Sequence, residues 1–216
     1  PPVVHPRHWQ VLGWSNLLAA DDSRLPARSI DIDMAAILYT SGSTGKPKGV
    51  VLSHRNMLAG ADSVAEYLDN RPDDRLLAVL PFSFDYGLSQ LTTAFVAGAR
   101  AVLMDYLLPR DVVATVAREG ITGLAAVPPM WVQLAMLEWP AAAVDSLRYL
   151  TNSGGAMPRA TLAALRRALP KTTPFLMYGL TEAFRSTYLD PSEVDRRPTS
   201  IGKAIPNAEI LVVRED

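Results

Sequence analysis

The sequence predicts an α/β fold built in layers, with a largely parallel sheet flanked by helices. Three observations carry this expectation. From Met34 onward, short apolar runs alternate with segments of helical spacing. Polar and glycine-rich clusters follow those runs directly, where the strands of an open sheet end and ligands bind. Hydrophobic residues make up 49% of the 216 residues, enough to bury a sizeable core.

Residues 1–33 read as an irregular lead-in with one helical stretch at 9–20. Residues 35–39 (Ala-Ala-Ile-Leu-Tyr) and 50–52 (Val-Val-Leu) are partly β-branched or aromatic and read as strands around a polar loop. Ser53 then stands as the N-cap of a helix opened by His54. Residues 76–80 are a strand, and 88–97 a helix stopped by Gly98. A strand at 101–104 precedes a helix at 111–119 that ends at Gly120. Residues 123–127 are strand-like, 131–137 helical and 147–151 strand-like. A helix runs from Met157 to Leu169, with Pro158 suited to its first turn. Residues 174–178 form the next strand, and 210–213 read as a last one.

Composition narrows the function classes. Basic residues number 21 and acidic 22, a formal net charge of −1, which gives no support for a nucleic-acid partner. The absence of cysteine excludes a disulfide framework, a thiolate nucleophile and a Cys-ligated metal. No apolar run is long enough to be a transmembrane segment, and the Pro-rich start lacks a signal-peptide core, so a cytoplasmic location is expected. The three histidines, His5, His8 and His54, have no metal-ligand spacing and are read as non-catalytic.

The most informative stretch is Tyr39-Thr40-Ser41-Gly42-Ser43-Thr44-Gly45-Lys46-Pro47-Lys48-Gly49. Glycines let backbone N–H groups approach phosphate oxygens, hydroxyls donate hydrogen bonds, and lysines supply charge. It is not a Walker loop, because Pro47 stands where a hydroxyl residue should follow Gly45-Lys46, and a strand follows instead of a helix. A second cluster, Tyr178-Gly179-Leu180-Thr181-Glu182, joins an aromatic face, a hydroxyl and a carboxylate of the kind magnesium takes together with substrate phosphates. Read without the first loop, it would equally be a strand-end turn with Thr181 as a cap and Glu182 in a first helical turn. Ser153-Gly154-Gly155-Ala156 is a glycine segment that a flat base could approach.

These motifs, in this order, closely resemble those of the adenylate-forming (ANL) superfamily, which includes AMP-forming acyl-CoA synthetases and the adenylation domains of peptide synthetases. The match runs from Met34 to about Asn207. It implies that residues 34–216 are part of that family's large N-terminal domain, lacking its N-terminal part and its small C-terminal domain. It implies ATP and Mg2+ as cofactors, a small-molecule carboxylate as substrate, and coenzyme A (CoA) or the pantetheine of an acyl carrier protein as acyl acceptor. The phosphate-binding set would be Thr40, Ser41, Gly42, Ser43, Thr44, Gly45, Lys46 and Lys48. The adenine side would be Gly154, Gly155, Ala156 and Tyr178. Thr181, Glu182 and Lys48 would be catalytic, with Glu182 holding the metal. Phe84, Asp85, Ser153 and Gly179 would face the carboxylate substrate. The family's ribose-binding aspartate and its catalytic lysine would lie after Asp216, so the chain alone is expected to have little adenylation activity. Such a piece is also expected to leave apolar surface exposed and open to self-association.

Three readings follow, in order of support: an acyl-CoA or fatty-acyl ligase, an amino-acid adenylation domain, and an inactive nucleotide-binding scaffold. Phe84-Asp85 favours the second, where the carboxylate would meet a substrate ammonium; Asp85 as a cap of the helix near Leu88 is the equal alternative. Leu176, Met177 and Leu180 favour the first, standing where amino-acid activators usually carry asparagine and proline. Ile201 to Asn207 resembles a family segment with a structural role, with Ala204 replacing a proline.

Overall fold

The structure, a computed structural model, describes Ser15, residues 28–41 and residues 45–214. The helix expected at 9–20 therefore lies outside the described residues, except for Ser15, which is helical. So do Gly42, Ser43 and Thr44. The architecture that follows is that of the unit Asp31–Asp216.

Strands β1 (Met34–Thr40) and β2 (Lys48–Ser53) pair antiparallel, with Thr40 opposite Lys48. The polar loop is thus the tip of a hairpin. Ile37 and Val51 face each other across it and are 45% and 59% exposed, so the hairpin carries an open apolar face. Helix α1 (His54–Tyr67) follows at once. Ser53 caps it as expected: the Ser53 hydroxyl accepts from the Asn56 N–H at 3.2 Å, and the Asn56 side chain accepts from the Ser53 N–H at 3.1 Å.

The main sheet alternates with helices as the pattern predicted. Its elements are β3 (Arg75–Ala78), α2 (Asp85–Ala97), β4 (Arg100–Leu103), α3 (Pro109–Glu119), β5 (Gly123–Ala126), α4 (Pro128–Leu134), α5 (Ala141–Ser146), β6 (Tyr149–Asn152), α6 (Arg159–Ala168), β7 (Thr173–Tyr178), β8 (Thr187–Leu189) and β9 (Lys203–Ala204). Strand order is β4-β3-β5-β6-β7-β8-β9; the first five are parallel, and β8 and β9 are antiparallel additions at one edge. Helices α2 and α3 both stop at a left-handed glycine, Gly98 and Gly120, as read from sequence.

Strands β5 and β6 are buried along their whole length, which explains why they read as unbroken apolar runs. Trp131 on α4 has no exposed surface, and its indole N–H donates to the carbonyls of Ala126 and Thr151 at 3.0 and 3.1 Å. That bond ties α4 to the ends of β5 and β6. At the opposite end of the sheet, buried Asp74 accepts from Arg148 at 2.6 Å, from Thr122 at 2.8 Å and from the Arg71 N–H at 2.9 Å.

Several expectations are corrected. Helix α2 starts at Asp85, not near Leu88, and its N-cap is Phe84. Pro158 is the N-cap of α6 and lies outside its first turn. Residues 210–213 form no strand: they are 46% to 97% exposed and, among the described residues, nothing pairs with them as a strand requires. Helix α5 and strands β8 and β9 were not expected. No helix among the described residues is long and apolar enough to cross a membrane.

Candidate functional site

A cavity of about 460 Å³ opens at the carboxyl ends of β6 and β7. Asn152, Gly154, Gly155, Ala156 and Met157 form one wall, Leu176 to Gly179 the second, and Pro198 to Ile201 the third. The structure thus brings Gly154, Gly155, Ala156 and Tyr178 together around one space, with Gly179 beside them. Chain order alone would not do this; the parallel pairing of β6 with β7 does. Gly154 takes φ +77°, a conformation that a side chain would strain, so the wall stays low and its backbone stays accessible. The Tyr178 ring is 44% exposed and offers a face to stack on.

The segment from Gly179 to Ser186 is the loop of the β7–β8 hairpin, closed by the Ser186 N–H donating to the Tyr178 carbonyl at 3.0 Å. Thr181 and Glu182 form its turn, and no helix begins there, so neither acts as a helix cap or first-turn acid. Glu182 is exposed and lines a second, smaller cavity of about 240 Å³ with Asn56, Gly60 and Ser63 of α1 and with Asn207. It does not line the larger one.

Of the residues expected near a carboxylate substrate, Asp85 departs furthest from expectation. Its side chain is 5% exposed and meets the equally buried Arg185 guanidinium at 3.0 Å. Arg185 also donates to the Ser89 hydroxyl at 3.2 Å and lies over the Tyr86 ring at 4.5 Å. Asp85 makes no cap hydrogen bond to the backbone of α2. The cap reading is therefore wrong, and the carboxylate is already matched by an internal cation. Ser153 is buried, 3% exposed, and neither it nor Asp85 lines the larger cavity. Phe84 sits close by: a side-chain carbon added at Gly154 would lie 3.8 Å from its ring.

Burial raises the Tyr86 and Tyr67 hydroxyls far above the usual tyrosine range, so both remain neutral donors. Tyr86 pairs with Thr151 at 2.5 Å, and Tyr67 donates to the Met177 sulfur at 2.8 Å. That bond holds Met177, which lines the larger cavity. The described members of the phosphate loop, Ser41, Gly45, Lys46 and Lys48, are exposed at the hairpin tip, with Thr40 half-buried at the end of β1. None of them lines the larger cavity.

Two functional features escaped sequence reasoning. Pro198 to Ser200 were not singled out, and Ile201 was placed in a segment given a structural role, yet these residues form the third wall of the cavity. Arg185 was not singled out, because its partner lies 100 positions earlier in the chain. Its place three residues after Glu182 was the available signal.

The base of ATP fits this set of residues. The cavity offers a glycine wall and an open aromatic face, which suit a flat base. Among the described residues no group of three or more His, Cys, Asp or Glu could hold a metal ion alone. Magnesium commonly takes one or two carboxylates together with substrate phosphates and needs no such cluster.

Known proteins bear on the site. A profile of the family described as AMP-binding enzyme matches residues 7–216. The chain is 37% identical to the L-proline–[L-prolyl-carrier protein] ligase of Streptomyces coelicolor over 84% of its own length, which is 36% of that protein. It is 33% identical to 4-coumarate–CoA ligase 5 of Oryza sativa subsp. japonica over 94% of its length and 40% of that protein. Among solved structures, o-succinylbenzoate coenzyme A synthetase of Bacillus subtilis, in complex with ATP and magnesium ion, superposes with a TM-score of 0.77 at 30% identity; 86% of this chain and 38% of that one are covered. The chain therefore spans well under half the length of the relatives it matches.

Proposed function

The chain belongs to the AMP-binding enzyme family, the adenylate-forming superfamily, and from that premise we propose that it serves an AMP-forming acid–thiol ligase of the acyl-CoA synthetase type. In this reading a substrate carboxylate oxygen attacks the α-phosphorus of ATP. The bond from that phosphorus to the bridging oxygen breaks, pyrophosphate leaves, and an acyl-adenylate forms. The thiol of coenzyme A, or of a carrier-protein pantetheine, then takes the acyl group and AMP leaves.

The observation that carries the reading is the cavity where Gly154, Gly155, Ala156 and Tyr178 converge. The glycine wall and the Tyr178 ring bind and orient the adenine. Lys46 and Lys48, exposed at the hairpin tip, neutralise the departing β- and γ-phosphates. The Thr181 hydroxyl donates to an α-phosphate oxygen, and the Glu182 carboxylate would hold magnesium. Magnesium, when bound, supplies charge neutralisation across the phosphates. Catalysis of this kind is mainly positioning and electrostatic stabilisation.

Asp85 bears on the choice of acid. Its carboxylate is held by Arg185, which supports a substrate without an α-ammonium. The proline-activating relative is the observation favouring the amino-acid reading. ATP–pyrophosphate exchange by the whole protein, measured across fatty, aryl and amino acids, separates the two. Exchange driven by fatty or aryl acids is the expected result. Exchange driven by an amino acid would replace it with the second reading. Mg-ATP binding with no exchange on any acid would leave a nucleotide-binding scaffold.

A further inference from the structure

The loop that carries Thr181 and Glu182 is bolted at two adjacent residues to two different helices. Phe184 takes φ +56°, a left-handed conformation that costs a bulky residue strain. Its ring fills the place a side chain would take on α1 at Gly60: a β-carbon added there would lie 2.4 Å from Phe184 Cδ1 and 2.6 Å from Cε1. The next residue, Arg185, reaches α2 instead and pairs with Asp85 at 3.0 Å. The loop also folds tightly on itself, since a β-carbon on Gly179 would lie 2.5 Å from the Phe184 carbonyl oxygen. Helix α1 is continuous with β2 and so with the hairpin that presents Lys46 and Lys48. The strained residue therefore joins the Glu182 loop to the element that follows the lysine loop.

We propose that Phe184, seated in the notch at Gly60, is a positioning residue that sets Thr181 and Glu182 at a working distance from the Lys46–Lys48 hairpin. This rests on the reading of those residues as ATP ligands. The left-handed conformation at 184 goes with a turn that sends one side chain to α1 and the next to α2. A structural plug alone would stabilise the fold and affect all ligands alike. A positioning plug acts more on the phosphate and metal end than on the base end, because the Phe184 ring packs on Gly60 of α1 and neither residue lines the cavity of Gly154 to Ala156 and Tyr178.

The test is binding to the whole protein, by calorimetry, of Mg-ATP and of adenosine. Gly60→Ala fills the notch, and Phe184→Leu shortens the plug. Each is expected to weaken Mg-ATP by about tenfold or more, the effect of losing about 1.4 kcal/mol or more of alignment, while adenosine affinity changes less than about twofold. Combining Gly60→Ala with Phe184→Leu, which restores room in the notch, is expected to recover part of the Mg-ATP affinity. If Gly60→Ala fails to fold, Phe184→Leu alone decides. Equal loss for both ligands, or no loss for either, would overturn the proposal while the functional reading stands. A wild-type protein that binds no Mg-ATP would sink both.

Discussion

Replacing Arg185 with methionine would leave the Asp85 carboxylate in a place water does not reach. The two side chains are 2% and 5% exposed, and their contact is 3.0 Å. Removing one partner of such a buried pair typically costs about 3–5 kcal/mol, because the remaining charge keeps its desolvation penalty without its counter-charge. Arg185→Met also removes the bond to Ser89 and the contact over Tyr86. For a chain of this size a loss of that order lowers Tm by roughly 6–20 °C. The double variant Asp85→Leu with Arg185→Met removes both charges. Buried pairs replaced by apolar residues are often neutral or stabilising, so it should lie within about 1–2 kcal/mol of wild type. Among the described residues the buried Arg185 Nε has no hydrogen-bond partner, which makes the native pair costly and favours this outcome. Urea unfolding of wild type, Asp85→Leu, Arg185→Met and the double variant gives the coupling energy directly. Additive losses would refute the claim that Asp85 is held by Arg185, and would return Asp85 to the residues available to a ligand.

Other outcomes follow from the same geometry. Glu182→Gln should lower ATP–pyrophosphate exchange by about 10²-fold or more at fixed magnesium, while Tm stays nearly unchanged because the side chain is exposed. Burial opposes charge on Asp74, but the bonds from Arg148, Asn70, Arg71 and Thr122 outweigh it and lower its pKa. A lowered carboxylate contributes stability that is present above its unfolded value of about 3.9 and is lost as pH falls through the folded value. Urea midpoints followed from about pH 6 down to about pH 2 should therefore fall less steeply for Asp74→Asn than for wild type.

The parallel core was legible because its central strands, β5 and β6, are buried along their length and the core alternates with helices long enough to show their period. Gly98 and Gly120 marked helix ends because left-handed caps need glycine. Strands β8 and β9 were not legible: three residues and two residues are too short to display alternation. The opposite error occurred at residues 210–213, where β-branched residues suggested a strand but no partner pairs with them among the described residues. β propensity reports fit to a half-buried pleat, and a pleat needs a neighbour.

The site shows the same division. Gly154, Gly155, Ala156 and Tyr178 were found as motifs, and the structure gathers them in one cavity. What chain order hid was how each cluster is tied down. Asp85 and Arg185 are 100 positions apart, and the Phe184 ring lies against Gly60 on another helix. Such contacts leave no local pattern. The clue at Phe184 is conformational, a positive φ on an aromatic residue, and composition does not reveal it.

The most direct test of the central claim is product analysis by the whole protein turning over with a fatty or aryl acid, magnesium and a thiol acceptor. If the cavity and the hairpin lysines serve adenylation, nucleotide products will be AMP and pyrophosphate in equal amounts, with acyl-adenylate trapped when the thiol is left out. ADP and inorganic phosphate, or acid activation without AMP, would contradict the account.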